Sequence, residues 1–158
     1  MELLFLRHGP ADSRAEWRGP DTERPLTDQG RDVVRRAAAV LAGAGTAVDA
    51  VLTSPYARAR ETAEIAAVVL GISERLADDE RLTPGFGRER LAAIVADHAG
   101  AGCLLLVGHE PDFSATIGAL TGGDVVVKKA GIARVDLDEH TMRGRLLWLL
   151  APRILPER

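Results

Sequence analysis

The chain has 158 residues, of which 46% are hydrophobic and 4% aromatic, and its formal net charge is -3 at pH 7. These values are typical of one globular domain, here expected over residues 1–158, with a core of Leu, Val, Ile and Ala rather than aromatic rings. The weak negative charge argues against nucleic acid as a partner, the single cysteine excludes an internal disulfide, and no apolar run is long enough to cross a membrane.

The first predicted element is a buried strand over residues 1–6, an apolar run that ends in Arg7-His8-Gly9-Pro10. Ligands of open α/β sheets bind beyond the carboxyl ends of the strands, so a cation and an imidazole at this position indicate a site. Taken alone, Arg7 could simply end the strand and His8 could lie on the surface. Because no basic and then apolar leader precedes the strand, we expect a cytoplasmic protein.

A long loop and a helix are predicted next. Residues 11–26 show no periodicity and include Gly19, Pro20 and Pro25, and long loops are often functional. Thr27 is a typical N-cap for the helix that follows, and Gly43 is its expected end. The buried stripe of this helix is expected to comprise Val33, Val34, Ala37, Ala38 and Leu41.

A second strand is predicted over residues 50–53, followed at Ser54-Pro55 by a helix start with a capping serine and a proline in the first turn. Gly71 ends this helix. Its buried face is expected to comprise Thr62, Ile65, Ala66 and Val69. A short strand near residues 75–77, a polar segment and a third helix over residues 88–99 follow.

Residues 103–107 form a continuous apolar run, which predicts a central strand buried on both faces. Cys103 lies in this run and is expected to be a core residue. The run ends in Gly108-His109-Glu110-Pro111, a second junction between a strand and a helix. Three short strands are expected in the last third, at residues 125–127, 132–137 and 146–150. The order predicts a three-layer α/β/α fold with a mostly parallel central sheet and a C-terminal antiparallel extension.

Polar and basic side chains follow the ends of three predicted strands: Arg7 and His8, then Ser54 with Arg58 one turn into its helix, then His109. Parallel strands place their carboxyl ends at one edge of a sheet, so we expect these side chains to converge beside the positive ends of two helices. Such a cluster is an anion site, and the planar fork of arginine suits phosphate. No acidic cluster with metal-ligand spacing accompanies the histidines, so neither a metal nor another cofactor is expected.

At these same points the sequence resembles the histidine phosphatase superfamily, the phosphoglycerate-mutase-like enzymes. The resemblance covers nearly the whole chain. The short length and the Arg-Pro-Leu-Thr segment make it most similar to the SixA-type phosphohistidine phosphatases. Four segments in the expected order carry the resemblance: Leu6–Gly9, Arg24–Gly30, Ser54–Thr62 and Val107–His109.

The resemblance implies that His8 is the nucleophile and that Arg7, Arg58 and His109 hold the phosphoryl group, with Arg24 as an additional phosphate contact. The chemistry agrees, because a neutral imidazole nitrogen can attack phosphorus and arginines can stabilise the charge on the equatorial oxygens. Outside the motif, Arg58 would be interpreted as a solvated helix charge and His109 as a core histidine bonded to backbone.

The sequence leaves open which group protonates the leaving group. Larger members of the superfamily use a carboxyl group in the region that residues 78–81 occupy here, and Glu80, followed by an arginine, resembles an acid–arginine pair of the mutase branch. A phosphoramidate leaves more easily than an alcohol, so His109 could assist and Glu80 could be a solvated turn residue. His98, on the third helix, and His140, in a turn, are expected to take no part.

The leading hypothesis is a metal-independent phosphatase that acts on a phosphohistidine protein or a small phosphoester through a phosphohistidine intermediate. Residues 71–87 are too few to form a lid, so we expect a pocket open enough to admit a protein side chain. A phosphomutase of the same fold must exclude water from its phosphoenzyme and is less favoured. The alternative from another class is a non-catalytic phosphate-binding module, which the presence of both histidines and the arginines disfavours.

Overall fold

A six-stranded sheet with the order β3-β2-β4-β1-β5-β6 is the middle layer of the computed structural model, which describes residues 1–157. The strands are β1 (Glu2–Arg7), β2 (Ala50–Thr53), β3 (Leu76–Asp78), β4 (Cys103–Gly108), β5 (Ile132–Asp138) and β6 (Arg143–Leu150). The helices are α1 (Asp28–Gly43), α2 (Ala57–Leu70), α3 (Arg88–Asp97) and α4 (Asp112–Thr121). No helix within residues 1–157 is both long and apolar enough to span a membrane.

The sheet is parallel through four strands and antiparallel at its C-terminal side. β3, β2, β4 and β1 run in one direction, β5 pairs antiparallel with β1, and β6 pairs antiparallel with β5. The carboxyl ends of the four parallel strands therefore share one edge of the sheet, together with the turn that enters β5. The predicted fold class and this topology are confirmed.

Alternate residues of β1 supply the two halves of the core. Leu3 and Phe5 pack on the side of α3 and α4, whereas Leu4 and Leu6 pack on the side of α1 and α2. All six residues of β4 are buried, as expected of a strand covered on both faces. Burial of such side chains contributes roughly 1.5–3 kcal/mol each to stability, which fixes the register of the two central strands.

The start of α2 differs from the predicted one. The helix begins at Ala57 rather than at Pro55, and its N-cap, Tyr56, makes no side-chain cap hydrogen bond. Ser54 accepts a hydrogen bond from the Tyr56 backbone N–H, at 3.3 Å, but its hydroxyl also contacts a histidine. The buried face also differs, because Ile65 and Val69 are only half-buried. The fully buried face of α2 is formed instead by small residues: Ala59, Thr62, Ala63, Ala66 and Ala67.

The predicted strand over residues 125–127 is wrong, since this segment is irregular. The backbone groups of Val127 bind side chains instead of a neighbouring strand. The Val127 N–H donates to Ser114 Oγ at 3.0 Å, and the Val127 carbonyl accepts from Arg7 Nη1 at 3.1 Å. β-branched residues favour strands, but these tertiary hydrogen bonds override that preference.

Gly30, in the first turn of α1, lies against the segment that leaves β1. A Cβ atom at this position would lie 2.0 Å from the Pro10 carbonyl oxygen, which also accepts a hydrogen bond from the Thr27 N–H at 3.0 Å. The oxygen belongs to the backbone and cannot rotate away. Absence of a side chain at Gly30 therefore lets α1 close on the loop behind the Arg7-His8 junction.

We expect Gly30→Ala to lower the free energy of unfolding by about 1–3 kcal/mol, the usual cost of overpacking. Gly43, in the last turn of the same helix, is the control, because a Cβ atom there meets nothing within 4 Å. Gly43→Ala should raise stability by about 0.5–1 kcal/mol through helix propensity. Urea unfolding followed by circular dichroism compares the two, and equal stabilities would contradict the packing argument.

Candidate active site

The Arg-His junction after β1 and the Gly-His junction after β4 leave the sheet side by side. Arg7 pairs with Gly108 at the end of the β1–β4 ladder, and the His8 N–H donates to the Gly108 carbonyl at 3.0 Å. The rings of His8 and His109 are consequently 5.4 Å apart between centroids. The predicted convergence of the two histidines at one sheet edge is therefore observed.

His8 is held so that one ring nitrogen remains free. Its Nδ1 lies 2.8 Å from the Gly9 carbonyl oxygen. A carbonyl only accepts, so Nδ1 carries the proton and Nε2 keeps its lone pair. Within residues 1–157, Nε2 makes no hydrogen bond, and 8% of the residue is exposed. This tautomer is the one that a nucleophilic Nε2 requires.

The ring of His109 is buried and oriented by Ser54. His109 Nε2 lies 2.8 Å from Ser54 Oγ, and the ring packs against the edge of Tyr56 with centroids 5.1 Å apart. Its Nδ1 is buried and finds no partner among residues 1–157. Because buried polar atoms are usually hydrogen-bonded, a substrate oxygen is a fitting partner for Nδ1.

Arg58 lies in the first turn of α2 and is 4% exposed. It donates to the backbone carbonyl of Asp21 at 2.8 Å and to the carboxylate Oδ2 of Asp21 at 3.1 Å. Its guanidinium also lies 5.2 Å from the centroid of the Tyr56 ring. A phosphoryl oxygen at this guanidinium would compete with the Asp21 carboxylate, which the sequence had not indicated.

Thr62 connects Arg58 to the β1 junction. Its hydroxyl accepts from the Gly9 N–H at 3.1 Å and donates to the Arg58 carbonyl, one turn earlier in α2, at 2.7 Å. The spacing of Arg58 and Thr62, four residues apart, places both on one face of the helix. The hydroxyl thereby fixes the start of α2 against the segment that carries His8.

Arg7 is held by a network that the sequence analysis missed. Its Nη1 donates to the Val127 carbonyl, while Nε is buried without a partner in the described residues. Ser114 accepts from the Val127 N–H and donates to the Glu110 carboxylate. The negative charge of Glu110 lies near Arg7 and opposes the desolvation that lowers the pKa of Arg7. No local sequence pattern predicts that a serine inside a helix would link these groups.

The remaining predicted residues lie in different environments. Arg24 donates to the Asp12 carbonyl at 2.8 Å and to Asp21 Oδ1 at 3.0 Å, so one carboxylate joins it to Arg58. Glu80 is exposed and makes no side-chain hydrogen bond or ion pair within residues 1–157, whereas its neighbour Arg81 pairs with two aspartates. A phosphate contact by Arg24 and acid catalysis by Glu80 stay predictions.

The other two histidines take no part in this cluster. His98 Nδ1 bonds the Ile94 carbonyl at 2.9 Å near the end of α3, and His140 is exposed in the turn between β5 and β6. Within residues 1–157, no three His, Cys, Asp or Glu side chains are arranged to hold a metal ion.

Burial sets the electrostatics of the site. Desolvation, followed by the neighbouring His109 and arginine charges, lowers the pKa of His8 to about 3, against the hydrogen bond to Gly9. Desolvation and the Arg58 charge lower the pKa of His109 to about 4. Although desolvation opposes ionisation of Asp21, Arg24 and Arg58 hold its pKa below the usual range. Both imidazoles are thus neutral at pH 7, surrounded by fixed positive charge.

Comparisons with known proteins agree with this geometry. Residues 3–84 match the model of the histidine phosphatase superfamily, branch 1. The chain is 30% identical to the phosphohistidine phosphatase SixA of Escherichia coli, over 96% of this chain and 94% of that protein. It is also 39% identical to an uncharacterized protein of Picosynechococcus sp., over 84% of this chain and 82% of that one.

A solved structure shares the whole architecture. The protein histidine phosphatase SixA complexed with tungstate superposes with a TM-score of 0.89, at 29% identity, over 99% of this chain and all of that one. The fold similarity therefore extends beyond the segment that matches the family model.

The low pKa values predict how the site responds to pH. A histidine with an unfolded pKa near 6.5 and a folded pKa near 3 binds its proton more tightly in the unfolded chain, so stability falls as the pH drops from about 6.5 toward 3. We expect proton NMR to show both rings neutral at pH 5, and vanadate to raise both pKa values. His8→Gln should lose less stability between pH 6.5 and 4 than wild type. A positively charged His8 ring at pH 6, with protons on both nitrogens, would contradict the lowered pKa.

Proposed function

The chain belongs to the histidine phosphatase superfamily and is a phosphatase, and we propose that it transfers the phosphoryl group of its substrate to His8 without a metal ion. The observation that carries this proposal is the pair of buried, neutral histidines, 5.4 Å apart, with His8 Nδ1 bound to a carbonyl. Nε2 of His8 is then the nucleophile, and the arginines supply the positive charge.

The first step is the attack of His8 Nε2 on phosphorus. A P–N bond forms, the bond from phosphorus to the leaving group breaks, and the leaving group takes a proton. Arg7 and Arg58 stabilise the charge on the equatorial oxygens, and Arg58 exchanges the Asp21 carboxylate for a phosphoryl oxygen. In the second step water attacks phosphorus, the P–N bond breaks, and the proton that water loses returns to the group that protonated the leaving group, which releases phosphate and restores neutral His8.

Ser54 favours one tautomer of His109. The Ser54 hydroxyl accepts from the Tyr56 N–H, and its oxygen lies 2.8 Å from His109 Nε2; we infer that the hydroxyl donates its own proton to this nitrogen. The proton of the neutral ring then resides on Nδ1, the buried atom without a partner in the described residues. His109 can therefore donate a hydrogen bond to a phosphoryl oxygen, or a proton to the leaving group, at neutral pH.

We favour phosphohistidine in a protein or a small phosphoester as the substrate. The segment between α2 and α3 consists of β3 and two short 3-10 turns, over Ser73–Arg75 and Glu80–Leu82. Little chain is left to cover the site, so a protein side chain can enter and water can reach the phosphoenzyme. Water access favours hydrolysis over the phosphoryl return that a mutase needs.

The experiment that tests this function is turnover of p-nitrophenyl phosphate in EDTA, with quenching in alkaline detergent to trap phosphoenzyme. Wild type should be active and form an acid-labile phosphoenzyme, whereas His8→Asn should show neither. Activity that requires an added divalent ion, or a phosphoenzyme in His8→Asn, would refute the mechanism.

The same assay separates Arg58 from an ordinary helix charge. Arg58→Ala should lower kcat by about 10²–10³, the usual loss when one contact to the transition-state charge is removed. Arg58→Lys should recover part of this, because an ammonium lacks the two-pronged fork. Arg60→Ala is the control, since Arg60 lies on the same helix but is only half-buried and is paired with Glu64. Equal losses for Arg58 and Arg60 would contradict the assignment.

The general acid can be assigned with leaving groups of different pKa. If Glu80 protonates the leaving group, Glu80→Gln should slow alkyl phosphates and spare p-nitrophenyl phosphate, whose leaving group needs no proton. Glu89→Gln, an exposed carboxylate in the first turn of α3, is the control. We expect Glu80→Gln to match wild type on phosphohistidine, because a phosphoramidate leaves more easily. A His109→Gln variant that slows every substrate equally would exclude His109 as the acid.

A further inference from the structure

A cavity of about 640 Å³ adjoins the catalytic cluster and shares Arg7 with it. It lies between the start of α1, the turn that enters β5 and the C-terminal 3-10 turn over Pro152–Ile154. A cavity of this size can hold a small ligand or one end of a larger one.

The charge of this cavity differs from that of the whole chain. Among residues 1–157, its lining contains five cations, Arg7, Arg36, Lys128, Lys129 and Arg153, and a single carboxylate, Glu157. The whole chain has a net charge of -3, and Lys128 and Lys129 are its only lysines. The positive charge is thus concentrated next to the phosphoryl site.

Four of these cations are not paired with carboxylates of the described chain. Lys128, Lys129 and Arg153 are exposed and form no ion pair within residues 1–157, and Arg36 donates only to the Pro156 carbonyl, at 3.3 Å. Arginines elsewhere on the surface, such as Arg60, are paired with acidic side chains. An anionic ligand could therefore bind these cations without first displacing a carboxylate from them.

The turn that carries both lysines is fixed to the segment that carries His8. The Ala130 N–H donates to the His8 carbonyl at 3.1 Å, and the Arg7 N–H donates to the Gly131 carbonyl at 3.1 Å. The buried Ala130 has a φ of +56°, a left-handed conformation that a non-glycine residue adopts only when its surroundings impose it. The backbone that carries the lysines is thus fixed relative to the nucleophile.

We propose that this cavity is a second anion subsite, which binds an acidic group of the substrate other than the phosphoryl group. The inference rests on the proposed function, because it places the second acidic group on the molecule that His8 attacks. The acidic group is a carboxylate or a phosphate, carried either by a small phosphoester or by residues that flank a phosphohistidine. The subsite favours such substrates through attraction to several cations at once.

Two matched substrate pairs test the subsite. The first pair is 4-carboxyphenyl phosphate and phenyl phosphate; the second is a phosphohistidine peptide flanked by glutamates and the same peptide flanked by glutamines. The readout is the ratio of kcat/KM within each pair. In Lys128→Gln/Lys129→Gln we expect the ratio to fall about tenfold, through KM, as for the loss of two partly exposed charge contacts.

The control removes two charges from the other end of the sheet. Arg143 and Arg145 lie at the start of β6, opposite the end of β5, and Arg143→Gln/Arg145→Gln should keep the wild-type ratio in both pairs. A fall confined to the small pair assigns the subsite to small phosphoesters, and a fall confined to the peptides assigns it to acidic protein segments. Unchanged ratios in the lysine variant, or equal falls in the control, would overturn the inference.

Binding to His8→Asn separates this inference from the proposed function. Calorimetry on that background measures the affinities of the two phenyl phosphates without turnover, with and without the lysine substitutions. A tenfold loss confined to the carboxylated compound would support the subsite even if His8 were not the nucleophile. Equal affinities for both compounds in every variant, together with unchanged ratios in the peptide pair, would overturn it even if wild type were an active phosphatase.

Discussion

The candidate site depends on the parallel pairing of β1 with β4. Six consecutive pairs end with Arg7 opposite Gly108, so both strands stop at the same level and release their histidines side by side. A slip of one residue would move every side chain to the other face of the sheet. The buried leucines that prevent this slip are therefore as necessary to the geometry of the candidate site as its polar side chains.

Concentrating cations at one sheet edge has an energetic cost that the surrounding loops offset. Arg58 is buried, and removing an ion from water is unfavourable unless it is paired. Asp21, which lies in a 3-10 turn and has a side chain that is 40% exposed, forms an ion pair with Arg58. A carboxylate on a half-exposed loop can be displaced by a stronger anion, whereas a fully buried one would neutralise the site permanently. The charge of Glu110 likewise offsets part of the cost of burying Arg7, whose pKa is lowered by desolvation.

Sequence reasoning recovered what local patterns encode. Strand ends and motif order predicted that Arg7, His8, Arg58 and His109 meet at one sheet edge, where the fold brings them together, and apolar periodicity predicted the layers, because burial and backbone geometry act over a few residues. It missed contacts that join distant segments. Ser54 follows the pattern of a helix cap, yet its hydroxyl orients a histidine 55 positions away. Residues 125–127 follow the pattern of a strand, yet the backbone groups of Val127 form hydrogen bonds with the side chains of Ser114 and Arg7. Such choices depend on tertiary neighbours that a local pattern does not record.

The distribution of lysine has a consequence for covalent modification. All other basic side chains are arginines or histidines, so the turn between α4 and β5 carries the only side-chain amines in the chain. Acylation of a lysine removes its positive charge. Any lysine acylation of this protein, whether enzymatic or by an amine-directed reagent, therefore alters the cavity beside the candidate site and leaves the arginines unmodified.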